Sequence, residues 1–226
     1  MKRRTPRALL FAACLLLSGL PACSMFENVT VGEEEEIERG VPPATRLREG
    51  MEAYDVGKYG KAVTAFSALL EEHPFSPEAG LAELKLADAY YYDGKYDEAK
   101  EHYKEFETRH PTNEAIPYVL FQYGMCDYVR ADRTDRDPNG MAQAINSFTR
   151  LLNAAPNSAY AQEAATKIRE AQDFLADHEF QVARFYKRTG KLGAARQRLQ
   201  YLLATYPNSD LVPRAQELLA ELGESN

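Results

Sequence analysis

From residue 44 to the end of the chain, apolar residues return at intervals of three and four, and clusters of β-branched residues are few. That period belongs to an α-helix with one buried face. A longer repeat lies over it. Setting Ala62, Ala99, Ala144 and Ala195 in register brings Gly57, Gly94, Asn139 and Gly190 into line five residues earlier. Phe66, Tyr103, Phe148 and Leu199 then align four residues later, and Pro74, Pro111, Pro156 and Pro207 twelve residues later. Counting back, Gly50, Ala87, Gly124 and Ala183 share a small-residue slot, with Tyr90 and Tyr186 three residues after it in two of the repeats. The glycines, and Asn139 in their place, are predicted to end a helix A in the left-handed conformation. The alanine lets helix B approach helix A closely, and the large residue one turn later fills the space beneath. Proline closes helix B because it cannot continue the hydrogen-bond ladder.

The spacing resembles that of the tetratricopeptide repeat, although no tryptophan stands at that repeat's first landmark. The chain is therefore expected to be all-α, an α-solenoid of tetratricopeptide-type helix-turn-helix repeats with a C-terminal capping helix. About four repeats and the cap would occupy residues 44–226. The alanines are 37, 45 and 51 residues apart. The second gap holds an insertion around Ala131–Pro138, between helices A and B of repeat three. Residues 159–189 contain neither proline nor glycine and predict one long helix. Residues 211–222 predict a last helix without a B partner, which covers the apolar face of repeat four.

The N-terminal stretch obeys a different pattern. Lys2, Arg3, Arg4 and Arg7 precede an apolar run from Leu9 to Leu20, which is too short for a mature membrane span and suits a signal-peptide core. It ends in Leu20-Pro21-Ala22-Cys23, which resembles a lipobox, with Pro21 in an unusual place. Residues 1–22 are expected to be a lipoprotein signal peptide, and Cys23 the lipidated residue and the membrane anchor. Two or more acyl chains on one cysteine would hold stably where one would not. Ser24 follows, and a residue other than aspartate there permits export to the outer membrane. Residues 23–43 read as an acidic tether, with Glu33-Glu34-Glu35-Glu36 as a solvated block and Pro42-Pro43 blocking helix.

Removing residues 1–22 takes away four basic and no acidic residues, leaving 23 basic against 34 acidic, a net of −11. That balance argues against nucleic acid as a partner. Past Cys23 the only cysteine is Cys126, so stability must come from packing rather than from a disulfide. His73, His102, His110 and His178 form neither an HExxH pair nor a zinc spacing, and no phosphate loop or nucleophile elbow occurs. The sequence thus points to no catalytic residue, cofactor or metal. Cys126, in mid-helix, reads as a small core residue.

Candidate binding chemistry lies on the helix A positions that face a solenoid's groove. They hold Leu47, Met51 and Tyr54, then Leu84, Tyr91 and Tyr92, then Tyr118, Phe121 and Tyr128. Tyrosine offers apolar area and a hydroxyl together, which suits an extended peptide. In repeat four the same face holds Asp177, Arg184, Lys187 and Arg188, so an aromatic groove gives way to a charged one, as two different partners would require.

The insertion reads Asp132-Arg133-Thr134-Asp135-Arg136-Asp137-Pro138, and repeat one closes with Pro74-Phe75-Ser76-Pro77, repeat three with Pro156-Asn157-Ser158. With the lipobox, these residues closely resemble the BamD family, tetratricopeptide lipoproteins of the outer-membrane β-barrel assembly machinery, over about residues 23 to 215. The resemblance implies a lipid-anchored scaffold on the periplasmic face of the outer membrane. It implies docking, through the C-terminal repeats, on the POTRA domains of the barrel subunit BamA, and reception of unfolded outer-membrane protein precursors by the N-terminal repeats. It maps an interface arginine onto Arg198, which the polar neighbours Arg196 and Gln197 place in a stretch expected to be solvated. It makes Arg133, Asp135, Arg136 and Asp137 candidate partner contacts. The incomplete fifth repeat departs from the family. The alternative reading is a generic periplasmic repeat lipoprotein coordinating cell-envelope or division proteins, which a coiled-coil N-terminal segment, absent here, would have favoured.

Overall fold

The computed structural model describes residues 40–133 and 138–224. Their regular structure is entirely helical: α1 (Pro43–Asp55), α2 (Tyr59–Glu72), α3 (Ala79–Tyr92), α4 (Tyr96–Arg109), α5 (Ile116–Arg133), α6 (Pro138–Ala154), α7 (Ala161–Arg188), α8 (Leu192–Thr205) and α9 (Val212–Glu224). Each helix packs on the next in sequence, as stacked helical hairpins require. The pairs α1/α2, α3/α4 and α5/α6 are the first three repeats. The C-terminal half of the 28-residue α7 serves as helix A for α8, and α9 closes the stack.

The aligned landmarks explain the local structure. Gly57, Gly94 and Gly190 have φ of 72°, 78° and 74°, so the A-to-B turns use a conformation that costs side-chain-bearing residues most. Gly94→Val is therefore expected to lose about 1–3 kcal/mol of stability, read as a lowered melting temperature; an unchanged melting curve would contradict the turn assignment. The prolines follow the ends of the B helices, where His73, His110 and Tyr206 take the C-cap position and donate their N–H groups back to Leu69, Phe106 and Leu202. Ala62, Ala99, Ala144 and Ala195 are all fully buried, as are Phe66, Tyr103, Phe148 and Leu199. Opposite them the A helices carry no bulk. A Cβ on Gly50 would overlap the Phe66 ring, and one on Gly124 would stand 2.6 Å from Cε1 of Phe148. The small-residue slot is thus the place where the two helices of a repeat touch.

Two local expectations are corrected. Asn139 does not take the left-handed turn; it is the second residue of α6, because Pro138 opens that helix and α5 runs on to Arg133. Pro42 and Pro43 do not hold helix off either. Pro42 is the N-cap and Pro43 the first residue of α1, where the missing N–H costs nothing. The chain is tied to the repeats ahead of them: the carbonyl of Val41 lies 2.9 Å from Nε2 of His73.

Charged groups are buried where helices meet, within and between repeats. Asp88 on α3 is fully buried and accepts hydrogen bonds from the hydroxyls of Tyr103 (2.7 Å) and Tyr118 (2.8 Å) and from Lys85 Nζ (2.9 Å). Asp127 on α5 is equally buried and takes Lys100 Nζ at 2.7 and 2.8 Å on its two oxygens. Glu83 receives Arg109 Nη1 and faces Nε2 of His110, each at 2.7 Å, which ties the end of α4 to α3. The Glu83 pairs and the Tyr103–Asp88 bond brace α3 against α4 within repeat two, while Tyr118–Asp88 and Lys100–Asp127 fix how repeat three sits on repeat two.

Candidate protein-binding surfaces

The A-to-B turns of the first two repeats carry a cluster of tyrosines. Tyr54 packs edge-on to Tyr59 at 5.5 Å between ring centroids and to Tyr92 at 5.9 Å, and Tyr59 stacks on Tyr92 at 5.4 Å. Tyr91 meets Tyr92 at 5.3 Å and Tyr96 at 5.4 Å. Lys85 Nζ stands 5.0 Å from the Tyr54 ring. Burial pushes the Tyr54 hydroxyl well up, helped by nearby Asp88, and pushes Tyr91 up to about 12, so both remain neutral donors at any physiological pH. Tyr92, at 49% exposure, is the ring that faces solvent. A run of packed tyrosine rings joins apolar area to hydroxyl groups, a combination that suits an extended chain.

The helix A residues named from the sequence divide accordingly. Leu47, Met51 and Tyr54 pack against the core of repeat one, and Leu84, Tyr91 and Tyr118 against that of repeat two. Phe121 is not a groove residue: at 7% exposure it belongs to the core of repeat three, against Phe148 and Tyr160. Tyr118 is turned inward by its hydrogen bond to Asp88, and burial raises its pKa well above the ordinary value. Tyr128 donates to Glu170 at 2.8 Å. The reason is geometric. A helices also bear the stacking between repeats, so the position nearest the groove is half-occupied by its neighbour. Two residues missed from the sequence are Tyr59 and Tyr96. Each stands two places after a turn glycine, a register the alignment already contained. Phe75, in the Pro74–Pro77 turn at the opposite edge, is 98% exposed.

The C-terminal half has another character. Arg198 on α8 is not simply solvated. It is half-exposed, yet its Nη1 lies 3.1 and 3.2 Å from the carboxylate oxygens of Glu179 on α7. Its neighbour Arg196 is not solvated either; its Nη2 donates to the carbonyl of Leu222 at 2.7 Å and holds α9 in place. Asp177, Arg184, Lys187 and Arg188 follow along α7. The last three line an open groove of about 460 Å³ with Phe180, Arg214 and Leu218.

Cys23, together with Asp135, Arg136 and Asp137, lies outside the described residues, as does the side chain of Arg133. Cys126 is buried, and desolvation pushes its thiol far up, so it is an inert packing residue. Among the described residues no cluster of His, Cys, Asp or Glu could hold a metal ion. No described helix is long and apolar enough to cross a membrane.

Comparison with known proteins bears on the whole repeat body. The YfiO family, described as "Outer membrane lipoprotein", matches residues 41–225. The outer membrane protein assembly factor BamD of Vibrio cholerae serotype O1 is 29% identical over 215 residues, covering 91% of this chain and 88% of that protein. BamD of Xylella fastidiosa strain Temecula1 is 31% identical over 179 residues, 75% of this chain and 60% of that protein. Among solved structures, a thermophilic TPR protein of Thermus thermophilus aligns with a TM-score of 0.42 at 23% identity, over 79% of this chain and 100% of its own.

Proposed function

The chain belongs to the YfiO family of outer membrane lipoproteins, and on that footing we propose that it is a non-catalytic scaffold of outer-membrane β-barrel assembly. The observation that carries the reading is the family match over residues 41–225, which spans every described repeat and the insertion between α5 and α6. The tyrosine cluster of repeats one and two supports a role in receiving unfolded outer-membrane protein precursors, whose extended, aromatic-rich strands suit stacked rings with hydroxyl edges. The C-terminal repeats would dock the POTRA domains of the barrel subunit, with Arg198 at the interface. Acyl chains on Cys23 would hold the scaffold on the periplasmic face of the outer membrane.

Purification of the lipidated chain in mild detergent is expected to bring the barrel subunit with it; recovery of the chain with no such subunit, in cells that contain one, would overturn the reading. Arg198 has to be probed with its intrachain partner in mind. Arg198→Ala should weaken capture of the POTRA domains more than tenfold, whereas Glu179→Ala, which breaks the same internal pair but keeps the cation, should not. Equal losses in the two variants would make the arginine a brace for α7 and α8 rather than a contact. Cys23→Ser should move the chain from the membrane to the soluble periplasmic fraction, and tight membrane retention of that variant would remove the anchor from the scheme.

A further inference from the structure

The groove between α7 and α9 takes no part in the tyrosine surface, and no residue of α8, Arg198 included, lines it. It exists because α9 docks chiefly on α8 and leans away from α7. Its floor is apolar, formed by Phe180 and Leu218, and its α7 wall is basic, with Arg184, Lys187 and Arg188. Lys187 is already paired with Glu221 across the groove. The three arginines have other partners. Arg184 reaches the amide oxygen of Gln181, at 3.3 Å, while Arg188 and Arg214 lie over the rings of Phe185 and Phe180 at 5.7 and 4.9 Å.

Arg46, Arg48, Arg109, Arg130, Arg150 and Arg198 each have a carboxylate within 4.0 Å, whereas among the described residues none lies that close to Arg184, Arg188 or Arg214. Arg169 and Arg196 also lack one, but they stand apart and bond the Thr166 hydroxyl and the Leu222 carbonyl, while the other three gather around this groove. In a chain with 34 acidic residues, three guanidinium groups without acid partners around one groove leave a local positive charge aimed at open space.

We propose that this groove is a second, separate binding site for an acidic peptide segment in extended conformation, with carboxylates held by Arg184, Arg188 and Arg214 and apolar side chains resting on Phe180 and Leu218. The spacing fits such an occupant. Arg184 and Arg188 are one helical turn apart, an axial rise of about 6 Å. Side chains on one face of an extended peptide repeat at about 6.8 Å, so alternate acidic residues meet successive arginines. Each guanidinium can grip a carboxylate with two parallel hydrogen bonds. The groove is less suited to the anionic face of a bilayer. It is concave, and Glu217 and Glu221 on its α9 wall repel a continuous sheet of phosphates while leaving room for a single narrow chain.

The test uses the full chain in detergent and fluorescence polarisation with two labelled peptides, GDLDLDG and its amide counterpart GNLNLNG. The acidic peptide is expected to bind at least tenfold more tightly. That preference should shrink between 50 and 500 mM salt and vanish when Arg184, Arg188 and Arg214 are all changed to Gln. Arg188→Gln alone, at an exposed position that cannot threaten folding, should reduce it severalfold. Tyr92→Ser should leave it unchanged, since that surface belongs to the assembly role and not to this site. Equal binding of the two peptides, a preference that survives the triple substitution, or capture by phosphatidylglycerol vesicles in place of the acidic peptide would each overturn the proposal.

Discussion

An Asp88→Ala variant is expected to lose about 3–5 kcal/mol of folding stability, among the largest effects available from one substitution in this chain. The magnitude follows from what the carboxylate satisfies. Tyr103 is fully buried and its hydroxyl donates to Oδ1 of Asp88; Tyr118 donates to the same oxygen from the neighbouring repeat, and Lys85 reaches Oδ2. Removing the acceptor strands the buried Tyr103 hydroxyl, the part-buried Tyr118 hydroxyl and a part-buried ammonium, and each unsatisfied group costs about 1–3 kcal/mol. Asp88→Asn keeps an oxygen for the tyrosines but removes the charge that pairs with Lys85 and turns an amide N–H toward its ammonium, so a smaller loss of about 1–2 kcal/mol is expected. Urea unfolding followed by circular dichroism measures both, with the midpoint shift read at constant slope. An alanine variant within about 1 kcal/mol of wild type would mean that water reaches the site and replaces the carboxylate.

The contrast between what was readable in the chain and what was not has a physical basis. Helix seams were readable because their causes are local: a positive φ at Gly57, Gly94 and Gly190, and a proline after each B helix, act on the backbone within a few residues. The long α7 was readable for the same reason, as a stretch without either breaker. Asn139 misled because asparagine tolerates both a left-handed turn and a helix, and here Pro138 starts the helix one residue before it. The buried carboxylates were not readable at all. An aspartate beside Ala87 looks like any surface charge until Tyr103 and Tyr118 arrive from other helices. The same holds for Arg198, whose partner Glu179 is 19 residues away on another helix. The character of the two surfaces was thus legible, aromatic in the first repeats and basic in the last, while the exposure of each residue was decided by contacts between helices.

A close contact within a repeat gives the second large effect. Gly124→Val is expected to cost about 3 kcal/mol, although glycine in mid-helix is itself unfavourable by about 0.5–1 kcal/mol relative to alanine. The gain in helix propensity is outweighed because a Cβ there would stand 2.6 Å from Cε1 of Phe148, and valine adds two methyl groups beyond it. Phe148 cannot step aside. It is fully buried, with Phe121 at 5.7 Å and Tyr128 at 6.4 Å between ring centroids. The helices must therefore separate, which opens voids along the α5/α6 seam. Gly193→Ala provides the control: beyond its own turn of helix nothing lies within 4 Å of the added Cβ, so stability should stay level or rise slightly. The decisive measurement is a double-mutant cycle. Phe148→Ala alone should cost about 3–5 kcal/mol through the cavity it leaves. Combined with Gly124→Val, the valine methyls enter that cavity, and the double variant should be more stable than the sum of the two losses by about 2 kcal/mol. Strict additivity would show that glycine and phenylalanine do not share the space, and that something other than the small-residue slot sets the distance between helices A and B.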